Sequence, residues 1–329
     1  MSASKLKRGR VLVLSGGIGG AKLALGLAHV MRPELLTVAA NTADDFVHLG
    51  LAISPDIDTL MYTLGGLANP ATGWGRKDET WTFMRALEQL GGETWFKLGD
   101  GDLAVHVERT RRLAAGDSLT AITADLTRKL GMGVRILPMS DDKVRTRLDT
   151  DEGTLDFQDY FVRRQCRPAV RGITFVGAET ARPQRELMAA LAEPDLRAVI
   201  ICPSNPLISI EPILAVPGVR AALRDCVAPV VAVSPIIGGR AVKGPTAKML
   251  GELGVGVSAA SVARRYADLL DAYIVEPEDA ADVARLGLDM AVHTARTIMS
   301  SLADRADLAQ VVLDVADRLS TGCPTDRSS

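Results

Sequence analysis

The chain is poor in the residues on which metal-cage, disulfide and nucleic-acid chemistries depend. Its four cysteines (Cys166, Cys202, Cys226, Cys323) are scattered, with no C-x-x-C pair, and its four histidines (His29, His48, His106, His293) fall in no H-x-x-x-H or H-E-x-x-H spacing. A zinc site and a disulfide framework are therefore not expected, and a reducing, cytoplasmic setting fits. Charge of one sign is missing too: 38 Lys and Arg against 40 Asp and Glu leave a formal net charge of -2. Nucleic-acid binders carry a strongly basic surface, so no nucleic-acid partner is expected. The N-terminal patch Lys5, Lys7, Arg8 and Arg10 is too short to change this. Long apolar runs are absent as well. Val11–Leu14 is far too short to span a membrane and ends in glycines, and no signal-peptide h-region precedes a small-residue cleavage site.

What is present is an ordinary globular composition, 47% hydrophobic and 24% charged over 329 residues. That length suits one large domain or two ordinary ones and needs no covalent staples. Val11–Leu14 reads as a strand buried on both faces, followed by the glycine turn Ser15–Gly20, a helix from Ala21 to Met31, and a second strand from Leu35 to Ala40. This is a βαβ unit. From Asp56 to Met132 apolar residues recur at three-to-four spacing and strand candidates nearly vanish, which predicts a helical insertion. Val134–Leu137 is a candidate strand. Val144–Thr150 and Leu155–Val162 alternate around Asp151–Thr154 and predict a β-hairpin. Val170–Val176, Ala198–Ile201, Val230–Val233 and Ala272–Val275 are further strands, and helical patterns between the last three indicate parallel βα units. The last helix runs from about Leu302 to Leu319. The expected fold is α/β: a three-layer α/β/α, Rossmann-like, mostly parallel sheet with a helical insertion and a β-hairpin. The expected organisation is a discontinuous core (1–55 and 133–320), the insertion (56–132) and a disordered tail (321–329).

Five polar turns lie where the chemistry of such a sheet is expected, at strand ends. The glycine turn (Gly16, Gly17, Gly19, Gly20, then Lys22) opens a helix, where backbone amides and the helix dipole favour anions. It matches neither a P-loop nor a clean dinucleotide fingerprint, and a ligand-free tight turn remains an alternative. Asn41-Thr42-Ala43-Asp44-Asp45 ends the second strand. Two adjacent carboxylates repel by roughly 4 kcal/mol at 4 Å in an effective dielectric of 20 unless a cation or hydrogen bonds separate them. Mg²⁺ is the natural partner, because it takes one or two carboxylates plus phosphate oxygens and waters. A solvated turn or cap is the alternative. Ser54–Thr59, with Asp56 and Asp58, either caps a helix or aims a carboxylate into the crevice. Lys97–Asp102 is a charged glycine turn or a helix–helix connection. Pro203–Pro206 (with Ser204 and Asn205) and Ser234–Gly239 (with Gly238) suit base, ribose or phosphate recognition, with Lys243 and Lys248 supplying charge. Trp74, Trp81 and Trp95 all fall in the insertion of a chain only 4% aromatic. They are expected to be core, or alternatively a stacking surface for a flat substrate.

Together Ser15–Lys22 (SGGIGGAK), Asn41–Asp45 (NTADD), Ser54–Thr59 (SPDIDT), Lys97–Asp102 (KLGDGD), Leu137–Asp142 (LPMSDD), Phe157-Gln158, Ser204–Pro206 and Ser234–Gly239 (SPIIGG) closely resemble the 2-phospho-L-lactate transferase family of coenzyme F-420 biosynthesis. The resemblance covers nearly the whole chain. It implies an Mg²⁺-dependent phosphoester transfer. The donor is a guanosine-diphosphate-activated three-carbon acid and the acceptor is the ribityl hydroxyl of the deazaflavin FO, with GMP released. The donor acid stays open among lactyl, enolpyruvyl and glyceryl forms. The resemblance implies Asp44 and Asp45 as metal ligands, with Asp45 also taking the hydroxyl proton. It places Asp58 and Lys97 against FO. It assigns Gly16, Gly17, Gly19, Gly20, Lys22, Asn41, Ser204, Asn205, Ser234 and Gly238 to guanosine and phosphates. It also implies a homodimer. Where family members often carry Arg between the two aspartates of Lys97–Asp102, this chain has Gly101, with Arg109 a candidate substitute. Two other readings are a non-catalytic sugar-nucleotide-binding regulator of the gluconeogenesis-factor type and a nicotinamide dehydrogenase, the latter disfavoured by Asn41 where an acid should end the second strand.

Overall fold

The computed structural model describes residues 9–241 and 244–321; the basic residues at 5–8, Lys243 and the tail from 322 lie outside the described residues. The chain opens β1 (Val11–Ser15), α1 (Gly17–Val30), β2 (Leu36–Ala40), followed by a small hairpin β3 (Phe46–His48) and β4 (Leu51–Ile53). Four helices come next: α2 (Pro55–Leu64), α3 (Thr82–Gln89), α4 (Asp100–Ala114) and α5 (Leu119–Lys129). After β5 (Arg135–Pro138) lie β6 (Arg145–Thr150), β7 (Gly153–Asp156) and β8 (Val170–Val176), then α6 (Arg185–Leu191), β9 (Ala198–Ile201), α7 (Glu211–Ala215), α8 (Val219–Arg224) and β10 (Val230–Val233). The chain continues with β11 (Ile236–Ile237), β12 (Arg240–Ala241), α9 (Thr246–Glu252), α10 (Ala259–Arg265), β13 (Ala272–Val275), α11 (Ala280–Ala284), β14 (Ala291–Thr294) and α12 (Leu302–Thr321).

Seven parallel strands form the central sheet in the order β14-β13-β10-β9-β1-β2-β5. The chain leaves β1 for β2 and β5 on one side and returns through β9 on the other, so the order reverses at β1. That reversal opens a crevice outside the carboxyl ends of β1, β2 and β9, the usual ligand position in such sheets. Every residue of β1, β9, β10 and β13 is buried, because helices cover both faces. Val11, Val13, Val38 and Ile200 pack with α1, α2 and α12 on one face, and Leu12, Leu14, Val199 and Ile201 with α6 to α11 on the other. Helices α1 and α12 cross so closely at Gly26 that a Cβ there would lie 2.1 Å from the Arg305 carbonyl oxygen. No helix among the described residues is long and apolar enough to cross a membrane.

The structure differs from the sequence expectations in several places. Helix α1 starts at Gly17, not Ala21, so most of the glycine run is its first turn. The hairpin's second strand stops at Asp156, and a π-type turn over Asp159–Arg163 follows. Across it the Phe157 and Phe161 rings stack 5.4 Å apart at an interplanar angle of 9°. β8 joins β6 in a separate antiparallel sheet β7-β6-β8. Strands β3, β4 and β14 were not foreseen, being only three or four residues long. The three tryptophans are not core: Trp74 is 47% exposed and Trp81 and Trp95 are half-buried.

Candidate active site

Asn41, at the carboxyl end of β2, organises the crevice floor. Its Nδ2 donates to Asp44 Oδ2 (3.0 Å), Asp56 Oδ2 (3.0 Å) and the Ile208 carbonyl (3.2 Å), while its Oδ1 accepts from the Ala43 amide at 2.9 Å. One amide thereby ties the turn after β2 to the start of α2 and the turn after β9. Asp45 Oδ2 accepts from Ser54 Oγ at 2.7 Å. Among the described residues, Asp45 Oδ1 is buried without a hydrogen-bond partner, and the Thr146 hydroxyl faces the Asp44 carboxyl and favours its ionised form.

Burial is the main reason these carboxyls resist ionisation. It holds Asp44 well above the ordinary carboxylate range, and the charge of Asp56 adds to it. Burial pushes Asp45 up to about 7 against the Ser54 hydrogen bond and the charge of Arg145, and Asp56 to about 6 against its bonds to Asn41 and Gly17. Buried charges in such a group require a proton or a cation. Two adjacent buried carboxyls at the cleft floor supply hard oxygen donors of the kind a divalent cation such as Mg²⁺ takes.

The glycine turn is used differently from the expectation. The Gly17 amide donates to Asp56 Oδ1 at 2.8 Å and the Gly16 amide to Ser204 Oγ at 3.2 Å, so the protein itself already fills two amides of the expected phosphate cradle. A Cβ on Gly19 would lie 2.5 Å from the Pro203 carbonyl, and one on Gly20 2.2 Å from Ser15 Oγ. These glycines let α1 dock on the turn after β9. Lys22 Nζ donates to the Met299 carbonyl at 2.8 Å. Ser234 Oγ closes its own turn through Ile236, and the Gly238 amide donates to the Asp279 carboxylate at 3.1 and 3.2 Å. Asn205 Oδ1 accepts from the Leu207 amide (2.9 Å), leaving its Nδ2 buried and without a partner among the described residues.

Asp58 is paired within the protein. Both of its oxygens are bound by the Arg109 guanidinium, with Nη1 to Oδ2 at 3.1 Å and Nη2 to Oδ1 closer still. Arg109 and Asp58 are buried, and His106 Nδ1 lies 3.2 Å from Arg109 Nη1. The pair clamps α2 to α4, so Arg109 is not free to replace the arginine missing at Gly101. The guanidinium beside Gly101 belongs to Arg76, whose Nη1 donates to the Gly101 carbonyl at 3.2 Å. The Lys97–Asp102 segment is a cap exchange. Asp100 accepts from the Thr82 and Phe83 amides at the start of α3, and Glu79 accepts from the Gly101 and Asp102 amides at the start of α4. Lys97 is exposed.

A cleft of about 630 Å³ opens at the floor acids. Asp44, Asp45, Thr146 and Gln158 line its polar side, Phe46, Trp95 and Phe157 its aromatic side, and Arg145, Arg147, Arg163 and Arg164 its basic side. Asp58 and Lys97 do not line this cleft. Arg145, Phe46 and Thr146 went unremarked in the sequence, because a strand of alternating polarity carries no sign of what its polar face meets.

Fold and site together define the class: a Rossmann-like α/β enzyme with an acid-floored cleft outside the carboxyl ends of its parallel strands. The chain belongs to the CofD family of transferases, matching "2-phospho-L-lactate transferase CofD" over residues 11–311. It is 41% identical over 321 residues to a phosphoenolpyruvate transferase of Kitasatospora aureofaciens, covering 95% of this chain and 99% of that one. A phosphoenolpyruvate transferase of Mycobacterium avium is 38% identical over 338 residues, covering 93% and 98%. A crystal structure of a UPF0052 family member from Bacillus halodurans superposes with a TM-score of 0.65 over 94% of this chain and 99% of that one; at 15% identity the likeness shows the fold alone.

Proposed function

We propose that this enzyme transfers a phosphoenolpyruvyl group from its guanylylated, diphosphate-linked donor to the terminal ribityl hydroxyl of FO, releasing GMP, in coenzyme F-420 biosynthesis. The donor acid is taken from the relatives named phosphoenolpyruvate transferase. The observation that carries the reading is the pair of adjacent buried carboxyls, Asp44 and Asp45, at the floor of a cleft with aromatic and basic walls. In the reaction the hydroxyl oxygen bonds to the phosphorus that bears the acid. The phosphoanhydride bond to GMP breaks, and GMP leaves with the electron pair.

Asp44 and Asp45 would hold Mg²⁺, which when bound supplies positive charge against the diphosphate. Asp45 takes the hydroxyl proton. Ser54 fixes its orientation through the 2.7 Å hydrogen bond to Oδ2. Phe46, Trp95 and Phe157 offer ring faces to the flat deazaflavin and exclude water from the floor. Asn205 Nδ2 is the buried donor available to the nucleotide. The test is mass spectrometry of GMP and phosphodiester product after incubating the protein, Mg²⁺ and FO separately with the lactyl, enolpyruvyl and glyceryl donors. Product from the enolpyruvyl donor is expected. Product from another donor alone corrects the acid, and none from any donor ends the transferase reading.

A further inference from the structure

Four arginines line the cleft, and three of them are neutralised. Arg147 pairs with Asp156 at 3.0 Å, and Arg164 with Asp159 at 2.9 Å and with Glu152. Arg163 lies 3.5 Å from Glu93 and 3.8 Å from Asp159, with its guanidinium carbon 5.6 Å from the Trp95 ring centroid. Arg145 differs. It sits at the start of β6, half-buried, and only its Nη1 is used, donating to the Val144 carbonyl at 2.6 Å and the Thr42 carbonyl at 3.4 Å. Among the described residues no carboxylate lies within ion-pair distance of it, and its Nε and Nη2 donate to nothing. The two carbonyls hold one arm of the fork, and Arg145 and Thr146 both line the cleft whose floor carries Asp44 and Asp45. A guanidinium with Nε and Nη2 unused can present two parallel N–H donors to two oxygens of one anionic group.

We infer that Arg145, with Thr146 beside it, is the anion receptor of the cleft and binds anionic oxygens of the donor, either the carboxylate of the three-carbon acid or the phosphate that carries it. This rests on the transferase reading above and names the residue that fixes the donor's reacting end. Arg145 is thus a specificity-determining residue: it orients the phosphorus over the floor acids. The other three arginines, held by their own carboxylates, shape the wall.

The test is calorimetric titration of wild type, Arg145→Gln and Arg145→Lys, each with Mg²⁺, using GDP and the guanylylated phosphoenolpyruvate donor as separate probes. Loss of a charge-assisted bidentate contact should weaken binding roughly ten- to a hundredfold in Arg145→Gln. The loss should be smaller in Arg145→Lys, which keeps charge without the fork, and melting temperatures should match wild type because the side chain lies outside the core. Weakening of the donor alone assigns Arg145 to the acid's carboxylate. Equal weakening of donor and GDP assigns it to phosphate. If wild type binds both probes and Arg145→Gln binds them as tightly, the assignment is overturned while the transferase reading stands. If wild type binds neither, both fall together.

Discussion

Asp44 and Asp45 occupy a position that is costly for the empty protein and useful for the loaded one. Both carboxyls are desolvated, so a neutral amide at either position should suit the metal-free fold at least as well as the native acid. Asp45→Asn is therefore expected to reduce turnover by at least roughly 10²- to 10³-fold, while melting no lower than wild type without metal at neutral pH. Near-native activity in that variant would remove Asp45 from the chemistry. The glycine turn behaves oppositely, since its residues serve packing first. Gly20→Ala would drive a methyl group into Ser15 Oγ and Ser204 Oγ, and overpacking of this kind costs about 1–3 kcal/mol. Urea denaturation checks it, and an unchanged midpoint would show that α1 has room the structure does not display.

Helices α2 and α4 are joined by the Asp58–Arg109 pair, and this clamp sits behind the crevice floor rather than in it. Removing one partner strands a buried charge, so Arg109→Leu is expected to cost about 3–5 kcal/mol. The double variant Asp58→Leu/Arg109→Leu should cost clearly less than the sum of the two single changes. Additive losses in chemical denaturation would show that the two side chains do not act as a unit. At the neighbouring helix starts, Asp100 and Glu79 exchange caps between α3 and α4. Asp100 of that motif thus serves orphan amides at the α3 N-terminus, while Asp102 accepts from Tyr62 and lies 3.2 Å from His106 Nε2.

For the whole molecule, the crowded floor makes a statement about pH and metal. Burial raises Asp45 to about 7 and Asp56 to about 6, above the ordinary carboxylate value of 3.8, and Asp44 is raised too. The folded protein therefore holds protons that the unfolded chain releases, and this contribution is complete at low pH and lost as pH rises toward about 7. The shifted carboxyls Asp125 and Asp142, lowered to about 2, are ionised throughout that window and do not oppose it. Metal-free protein should accordingly lose thermal stability between about pH 5 and about pH 8 on this account, and Mg²⁺ should restore more of it at the higher pH, where a cation no longer competes with protons. Equal Mg²⁺ increments at both values, measured by calorimetry, would mean the ion binds elsewhere.

Much of this architecture was legible in the chain itself. Continuous apolar runs at 11–14, 198–201, 230–233 and 272–275 can only be strands covered on both faces, and polar turns directly after them must gather at one edge of a parallel sheet. The sequence by itself therefore determined the Rossmann-like class, the helical character of residues 56–132 and the candidacy of the Asp44-Asp45 turn. Only the tertiary structure decided which polar groups were spent on the protein and which were left over. Asp58, Asp100, Gly16 and Gly17 are consumed by Arg109, by helix caps, by Ser204 and by Asp56, whereas Asp45 Oδ1 and the second arm of Arg145 are not. Local spacing cannot reveal that difference, because each partner comes from a segment tens to hundreds of residues away, and a hydrogen-bonding group advertises the same chemistry in sequence whether or not the fold has already satisfied it.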